Sequence, residues 1–288
     1  MTSASAPPAV VGVIGGGRMG AGIAQSFAAA GSSVVVVEHD GAAAAVALDR
    51  ITTGLRRAAE RGGLGGPVAD DVPDRITIVT SIAGLPHDAD LVVEAAPEDA
   101  ALKARLLAAA EQAVGERCVL ATNTSSLPVT ELAAALKRPG RFLGMHFFNP
   151  VPVSALIELI LAPDTTGQTL TAAAGWTHAL GKQEVVVQDS PGFASSRLGL
   201  TLGLEAIRMV EEGVADPEAI DTAMRLGYRH PMGPLRLTDV VGLDVRLAIA
   251  EHLHATLGER FAPPGLLRAK VARGELGRKA GQGFYSWH

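Results

Sequence analysis

An apolar run from Val10 to Ile14 ends in Gly15-Gly16-Gly17-Arg18-Met19-Gly20, and a helix-forming stretch begins there and lasts until Gly31. No other feature constrains the fold as tightly. A strand that turns directly into a helix through Gly-x-Gly-x-x-Gly is the opening unit of a parallel sheet that cradles a dinucleotide. Gly15, Gly17 and Gly20 permit the tight turn and the close approach of backbone to a pyrophosphate. The helix start, with Arg18 and Met19, offers N–H groups and a positive dipole end. A second buried strand, Val34 to Val37, runs into Glu38. A carboxylate at that point accepts hydrogen bonds from ribose hydroxyls and repels a 2′-phosphate, so NAD is the expected cofactor rather than NADP. His39 and Asp40 beside it read as solvated.

Further strands are expected at Ile76 to Val79, Leu91 to Val93, Cys118 to Ala121 and Phe142 to Met145, with helices at about 41–61 and 98–114. Strands without polar alternation, separated by helices, indicate a sheet covered on both faces: a doubly wound Rossmann-type α/β fold. Ser154 to Leu161 and Glu184 to Val187 read as added strands around a helix from Thr166 to Leu180. Beyond Ser190-Pro191-Gly192 only helical segments follow. Two domains are expected, residues 1–189 binding NAD and an all-helical 190–288. The first helix of the latter, about Ser195 to Glu212, is apolar on nearly every face and calls for burial by other helices or by another subunit.

At 288 residues with 48% hydrophobic and 19% charged content, the chain is long enough for one large or two moderate cores and too apolar for disorder. A formal charge of −5 and a pI near 5.9 supply no basic footprint for nucleic acid or an anionic membrane. No apolar run reaches the roughly 18 residues of a membrane span. Met1 to Pro8 has no basic residue and does not read as a signal peptide. Cys118 is the only cysteine, in an apolar run, and reads as a buried structural thiol in a reducing cytoplasm. His252 and His254 are two apart and share no helix face, and no metal motif is present.

The chemistry concentrates between Thr122 and Glu158. Oxidising an alcohol requires a base for the hydroxyl proton as hydride leaves carbon, and a histidine steadied by a carboxylate suits that role. His146 ends a strand at the rim where such sheets bind ligands. Asn149-Pro150 and Val151-Pro152 follow as a stiff turn. If the chain runs back antiparallel about position 152, Glu158 falls opposite His146. A histidine beside two phenylalanines is more often a packing residue, but Glu158 on the apolar strand Leu156 to Ile160 needs a partner. Ser125 follows its strand at the same rim, and the residues alone leave open whether it meets a substrate oxygen or caps the next helix.

Together with the glycine turn, the segments Glu94-Ala95-Ala96-Pro97-Glu98, Asn123-Thr124-Ser125-Ser126, His146-Phe147-Phe148-Asn149-Pro150, Ser190-Pro191-Gly192-Phe193, His230-Pro231-Met232-Gly233-Pro234 and Gly281-Gln282-Gly283-Phe284-Tyr285 carry a resemblance. Over nearly its whole length the chain resembles the 3-hydroxyacyl-CoA dehydrogenase family. The resemblance implies NAD-dependent oxidation of a (3S)-3-hydroxyacyl-CoA, with His146 as general base, Glu158 orienting it and Ser125 bonding the substrate oxygen. It adds Glu98, Lys103, Asn149 and Lys279 as cofactor contacts, although either lysine also reads as an ordinary solvated one. It places Arg56, Arg57 and Arg61 against the CoA phosphates and implies a homodimer through the helical domain.

Two departures bear on the substrate. Where the family has an asparagine touching substrate, this chain has Ser196, which is shorter and lacks the amide. The family's Met-Lys after Pro-Val is replaced by Ser154-Ala155. The competing expectations are a dehydrogenase of the same fold acting on a hydroxy acid that is no thioester, such as L-gulonate or carnitine, and an NAD-holding protein without turnover.

Overall fold

The computed structural model describes residues 6–60 and 72–287. The chain divides into two compact units, Met1–Asp189 and Ser190–His288. In the first, β1 (Val10–Ile14), α1 (Arg18–Ala29), β2 (Ser33–Val37), α2 (Gly41–Glu60), β3 (Ile76–Val79), β4 (Leu91–Glu94), α3 (Ala100–Ala113) and β5 (Val119–Thr122) come first. There follow α4 (Val129–Ala133), β6 (Phe142–Phe147), β7 (Leu156–Leu161), α5 (Gly167–Ala179) and β8 (Gln183–Gln188). One eight-stranded sheet forms in the order β3-β2-β1-β4-β5-β6-β7-β8. From β3 to β6 the strands are parallel, and their central members are buried along their length because helices cover both faces. The order reverses at β1, which lies between β2 and β4, and a crevice opens at that switch point.

β7 runs antiparallel to β6. Residues 148–155 are all that join them, too few for the crossover that a parallel return requires. The observed strand ends move slightly from those read in the sequence. β6 continues to Phe147, so His146 lies inside it, and β7 begins at Leu156, outside Ser154 and Ala155. The short helix α4 was not expected; it follows the Ser125 loop.

The second unit contains α6 (Ser195–Glu211), α7 (Pro217–Thr222), α8 (Pro234–Val241), α9 (Leu243–Leu257) and α10 (Gly265–Ala272), and among the described residues its only β pairing is a pair of isolated bridges at Gln282. Neighbouring helices of the unit cover part of the apolar surface of α6. Leu200, Leu204 and Ile207 enter the core, each contributing about 1.5–3 kcal/mol, whereas Leu198 and Leu202 stay exposed. Two buried aspartates fasten the remaining segments. Asp221 accepts from the N–H groups of Leu235 and Arg236 and from the Tyr285 hydroxyl. Asp239 accepts from the N–H groups of Phe284 and Tyr285 and from the Trp287 ring. Among the described residues no helix is long and apolar enough to cross a membrane.

Candidate active site

The glycines of the first turn divide by what each would meet if it carried a Cβ. Gly15 has φ +95° and its Cβ would lie 2.9 Å from the Ala95 carbonyl; that of Gly20 would lie 1.7 Å from the Gly15 carbonyl. Both are demanded by the chain's own packing. Gly16, a free position in the fingerprint, is demanded too, since its Cβ would stand 2.4 Å from that of Ala47. Gly17 is different: nothing lies within 4 Å of its Cβ position. The space before it is open, and α1 starts there with no side-chain cap and no acid in its first turn. That is the arrangement a pyrophosphate needs.

A cleft of about 920 Å³ opens from this turn, lined by Gly15, Gly17, Arg18, Met19, Glu38 and Pro97 among others. Glu38 accepts from the Gly16 N–H at 2.6 Å, which holds its carboxylate on the cleft wall. The His39 side chain is 77% exposed, as expected of a solvated residue. Asp40 caps α2, accepting from the Ala43 N–H at 2.8 Å.

Across the crevice, Lys103 is 1% exposed, the opposite of a solvated surface lysine. Its Nζ donates to Glu94 Oε1 and Oε2 at 2.8 and 3.1 Å and to the Ala96 carbonyl at 3.1 Å, and lies 3.4 Å from Glu98 Oε2. Glu94, buried at the end of β4, also accepts from the Thr122 hydroxyl at 2.6 Å and from the Ala96 N–H. Glu98 gathers the loop after β5. It accepts from the Thr124 hydroxyl at 2.7 Å, from the Ser125 N–H at 3.0 Å and hydroxyl at 3.3 Å, and from the Ser126 N–H and hydroxyl. Burial raises the Glu98 pKa, but these donors and the Lys103 charge outweigh it and hold the carboxyl below its ordinary range. None of the three hydroxyls caps the next helix, whose N-cap is Pro128; Thr124 instead accepts from the Leu127 N–H at 2.9 Å within the loop.

His146 and Glu158 are register partners across β6 and β7. Directly opposed residues share a face, and His146 Nδ1 lies 2.8 Å from Glu158 Oε2. Both are buried, at 8% and 1% exposure, so the carboxylate meets the imidazole with little competing water. With Nδ1–H donating to Glu158, the neutral ring carries its lone pair on Nε2, the nitrogen able to take a proton. Asn123, quoted in the sequence only as part of a motif and given no role, accepts from the Phe147 N–H at 2.9 Å through Oδ1 and so ties the Ser125 loop to the strand bearing His146.

Asn149 is exposed just after β6, with a cis peptide to Pro150. Arg56 and Arg57 are exposed on α2, and Arg61 lies outside the described residues. Ser196 stands half-buried in the first turn of α6, and Lys279 is paired with Asp244 at 2.6 Å, both within the second unit.

Residues 10–190 match the NAD binding domain of 3-hydroxyacyl-CoA dehydrogenases and residues 192–287 match their C-terminal domain. The chain belongs to the 3-hydroxyacyl-CoA dehydrogenase family. It is 44% identical to a probable 3-hydroxybutyryl-CoA dehydrogenase of Bacillus subtilis, with 96% of both chains covered. It is 45% identical to one of Deinococcus radiodurans, covering 96% of this chain and 99% of the relative. The crystal structure of (S)-3-hydroxybutyryl-CoA dehydrogenase from Ralstonia eutropha superposes with a TM-score of 0.92 at 41% identity, covering 98% of this chain and 99% of that one. This family member is an NAD-dependent oxidoreductase. The open space at Gly17, the uncapped start of α1 and the Glu38 carboxylate on the cleft wall fit that cofactor.

Proposed function

We propose that this chain oxidises a short (3S)-3-hydroxyacyl-CoA to the 3-oxoacyl-CoA, reversibly, through His146. Nε2 of His146 takes the hydroxyl proton as the C3–O bond becomes a carbonyl and C3 releases hydride. Bound NAD supplies the hydride acceptor. Glu158 fixes the ring tautomer and offsets the imidazolium charge that forms. Ser125, held at its N–H by Glu98, turns its hydroxyl from that carboxylate to donate to the substrate oxygen, and Ser196 stands where the family asparagine touches substrate. Gly15, Gly17, Arg18, Met19, Gly20, Glu38, Glu98 and Asn149 hold the cofactor, with Lys103 positioning Glu98. The family resemblance assigns Lys279 to the cofactor as well. Arg56 and Arg57 neutralise the CoA phosphates.

The observation that carries this reading is the buried His146–Glu158 pair, 2.8 Å apart. His146→Ala and Glu158→Gln should each lower turnover of acetoacetyl-CoA by at least about 10²-fold, the scale of general-base loss. Near wild-type rates in both would sink it. Ser196 favours a second reading, an acid such as L-gulonate or carnitine as substrate. NAD reduction with either, and no NADH oxidation with acetoacetyl-CoA, would select it.

The exposed Leu198 and Leu202 of α6, with Leu237, Val241 and Val245, support a homodimer through the helical unit. Light scattering that returns a monomer mass would contradict it. The one thiol, Cys118, is buried and its pKa is pushed up to about 12 by burial, which suits a reducing cytoplasm.

A further inference from the structure

The parallel ladder stops short of the strand end that carries His146. β5 and β6 pair only as far as Thr122 opposite Gly144, yet β6 runs on through Met145 and His146 to Phe147. Past Thr122 the main chain turns toward β4, the Asn123 N–H donating to the Glu94 carbonyl at 2.7 Å, and enters the loop that Glu98 gathers. The backbone that would have continued the ladder beside Phe147 is therefore elsewhere. Phe147 is 1% exposed, so solvent does not take its place.

The Asn123 side chain supplies the acceptor. Its Oδ1 stands 2.9 Å from the Phe147 nitrogen, and because the partner is a donor, the oxygen of the amide is the atom that must face it. A side-chain amide here stands in for a peptide group and adds one rung to the sheet after the main chain has left. The chain can then leave β5 early enough to present Ser125 at the rim without releasing the strand end that bears His146. On its side-chain face Phe147 meets the ring of Phe27 in α1, edge-on at 6.4 Å between centroids. The bond from His146 to Glu158 fixes the imidazole against β7, on the side away from β5, and does not set its distance from Ser125.

We propose that Asn123 is a positioning residue of the proton-transfer site, fixing the separation of the Ser125 hydroxyl from the His146 imidazole through its bond to the Phe147 N–H. This rests on the reading of His146 as base and Ser125 as donor to the substrate oxygen. Both groups must meet one oxygen from neighbouring strands, so a loosened strand end acts on turnover rather than on binding.

Wild type is compared with Asn123→Ala, which removes the acceptor, and Asn123→Asp, which keeps an oxygen there but removes both amide N–H donors. Exchange of the Phe147 amide with deuterium is followed by NMR on protein carrying isotopically labelled phenylalanine. Acetoacetyl-CoA reduction gives kcat and KM, and NADH fluorescence gives the Kd of NADH. Reduction is the direction measured, because the carboxylate added in Asn123→Asp favours the protonated imidazole that this direction uses. In Asn123→Ala the amide exchanges at least about tenfold faster and kcat falls at least about tenfold, with KM and the NADH Kd within about twofold of wild type. Asn123→Asp keeps the protection and holds kcat within about threefold of wild type.

A Phe147 amide that exchanges as freely as an open loop in wild type overturns the tie without any variant. An unchanged kcat in Asn123→Ala overturns the positioning role. So does Asn123→Asp keeping the protection but losing turnover, which places the effect in the amide nitrogen. Loss of NADH binding in Asn123→Ala makes the residue a support of the whole fold and ends a role confined to the strand end. Near wild-type turnover in His146→Ala defeats the base reading instead, and the exchange comparison alone then judges whether Asn123 holds the strand.

Discussion

Lys103 and Arg246 are both buried cations, 1% and 6% exposed, yet the first is enclosed by Glu94, Glu98 and the Ala96 carbonyl while the second meets no acceptor. The difference extends to their surroundings. In the first unit two buried charges meet opposite charge, Lys103 with Glu94 and Glu111 with Arg138, while the buried Lys182 donates only to the Val151 and Ser154 carbonyls. In the second unit Asp221 and Asp239 are met by neutral N–H and O–H groups, so no anion remains for Arg246. Paired charges in the nucleotide unit fix the shapes of the loops that follow β4 and β5. The bare charge in the helical unit fixes nothing within the chain.

The largest effect should come from breaking the paired site. Lys103→Met leaves Glu94 buried without its counter-charge and should cost about 3–5 kcal/mol in denaturant unfolding. Adding Glu94→Gln should recover much of that, since the two residues act as a pair. A full loss in the double variant would mean that shape rather than charge holds the loop. Asp239→Asn comes next. It turns one acceptor into a donor facing the N–H groups of Phe284, Tyr285 and Trp287, at about 1–3 kcal/mol. An unchanged unfolding midpoint would show that the carboxylate is not what fastens the C-terminal segment.

Arg246→Met carries the opposite sign. It should stabilise the protein by about 1 kcal/mol, roughly 4–8 °C in melting temperature for a unit of this size. A fall in melting temperature would make Arg246 a structural residue and erase the contrast with Lys103. The smallest effect concerns Glu98, whose side chain is 37% exposed. Its carboxyl sits below the ordinary value, so the folded state holds that proton less tightly than the unfolded chain. Its contribution is complete above the unfolded glutamate pKa and fades as pH falls through the folded one. Ser126→Ala, which removes one donor to Glu98, should cost about 0.5 kcal/mol at neutral pH after solvent screening, with the deficit closing in acid. A deficit that is constant with pH would show that Ser126 acts through the loop backbone alone.

Much of the first unit was legible in the chain because its signals are local. Val10 to Ile14 followed by the glycine turn, and Val34 to Val37 followed by Glu38, announce strand, turn and helix through periodicity and small residues. The single step from His146 to Glu158 needed more. Their separation permitted a pairing, but the strand direction came from a connection too short to cross over. For Lys103 the alternative of an ordinary solvated lysine fails, and nothing in Ala100 to Leu107 reveals that Glu94 encloses its ammonium. For the helix from Ser195, an apolar count does not say which leucines meet helices of the same unit and which stay exposed on it.

Composition and spacing by themselves determined a dinucleotide-binding sheet, an acidic residue suited to NAD, a helical second half, and the residue types of a proton-transfer site. Only the tertiary structure decided that Gly17 faces open space while Gly15, Gly16 and Gly20 face the chain, that Glu158 reaches Nδ1 of His146, and that Arg246 is left without an anion. The reason is physical. Turn geometry and strand or helix preference are settled within a few residues, whereas burial and charge pairing depend on segments brought together from elsewhere in the chain.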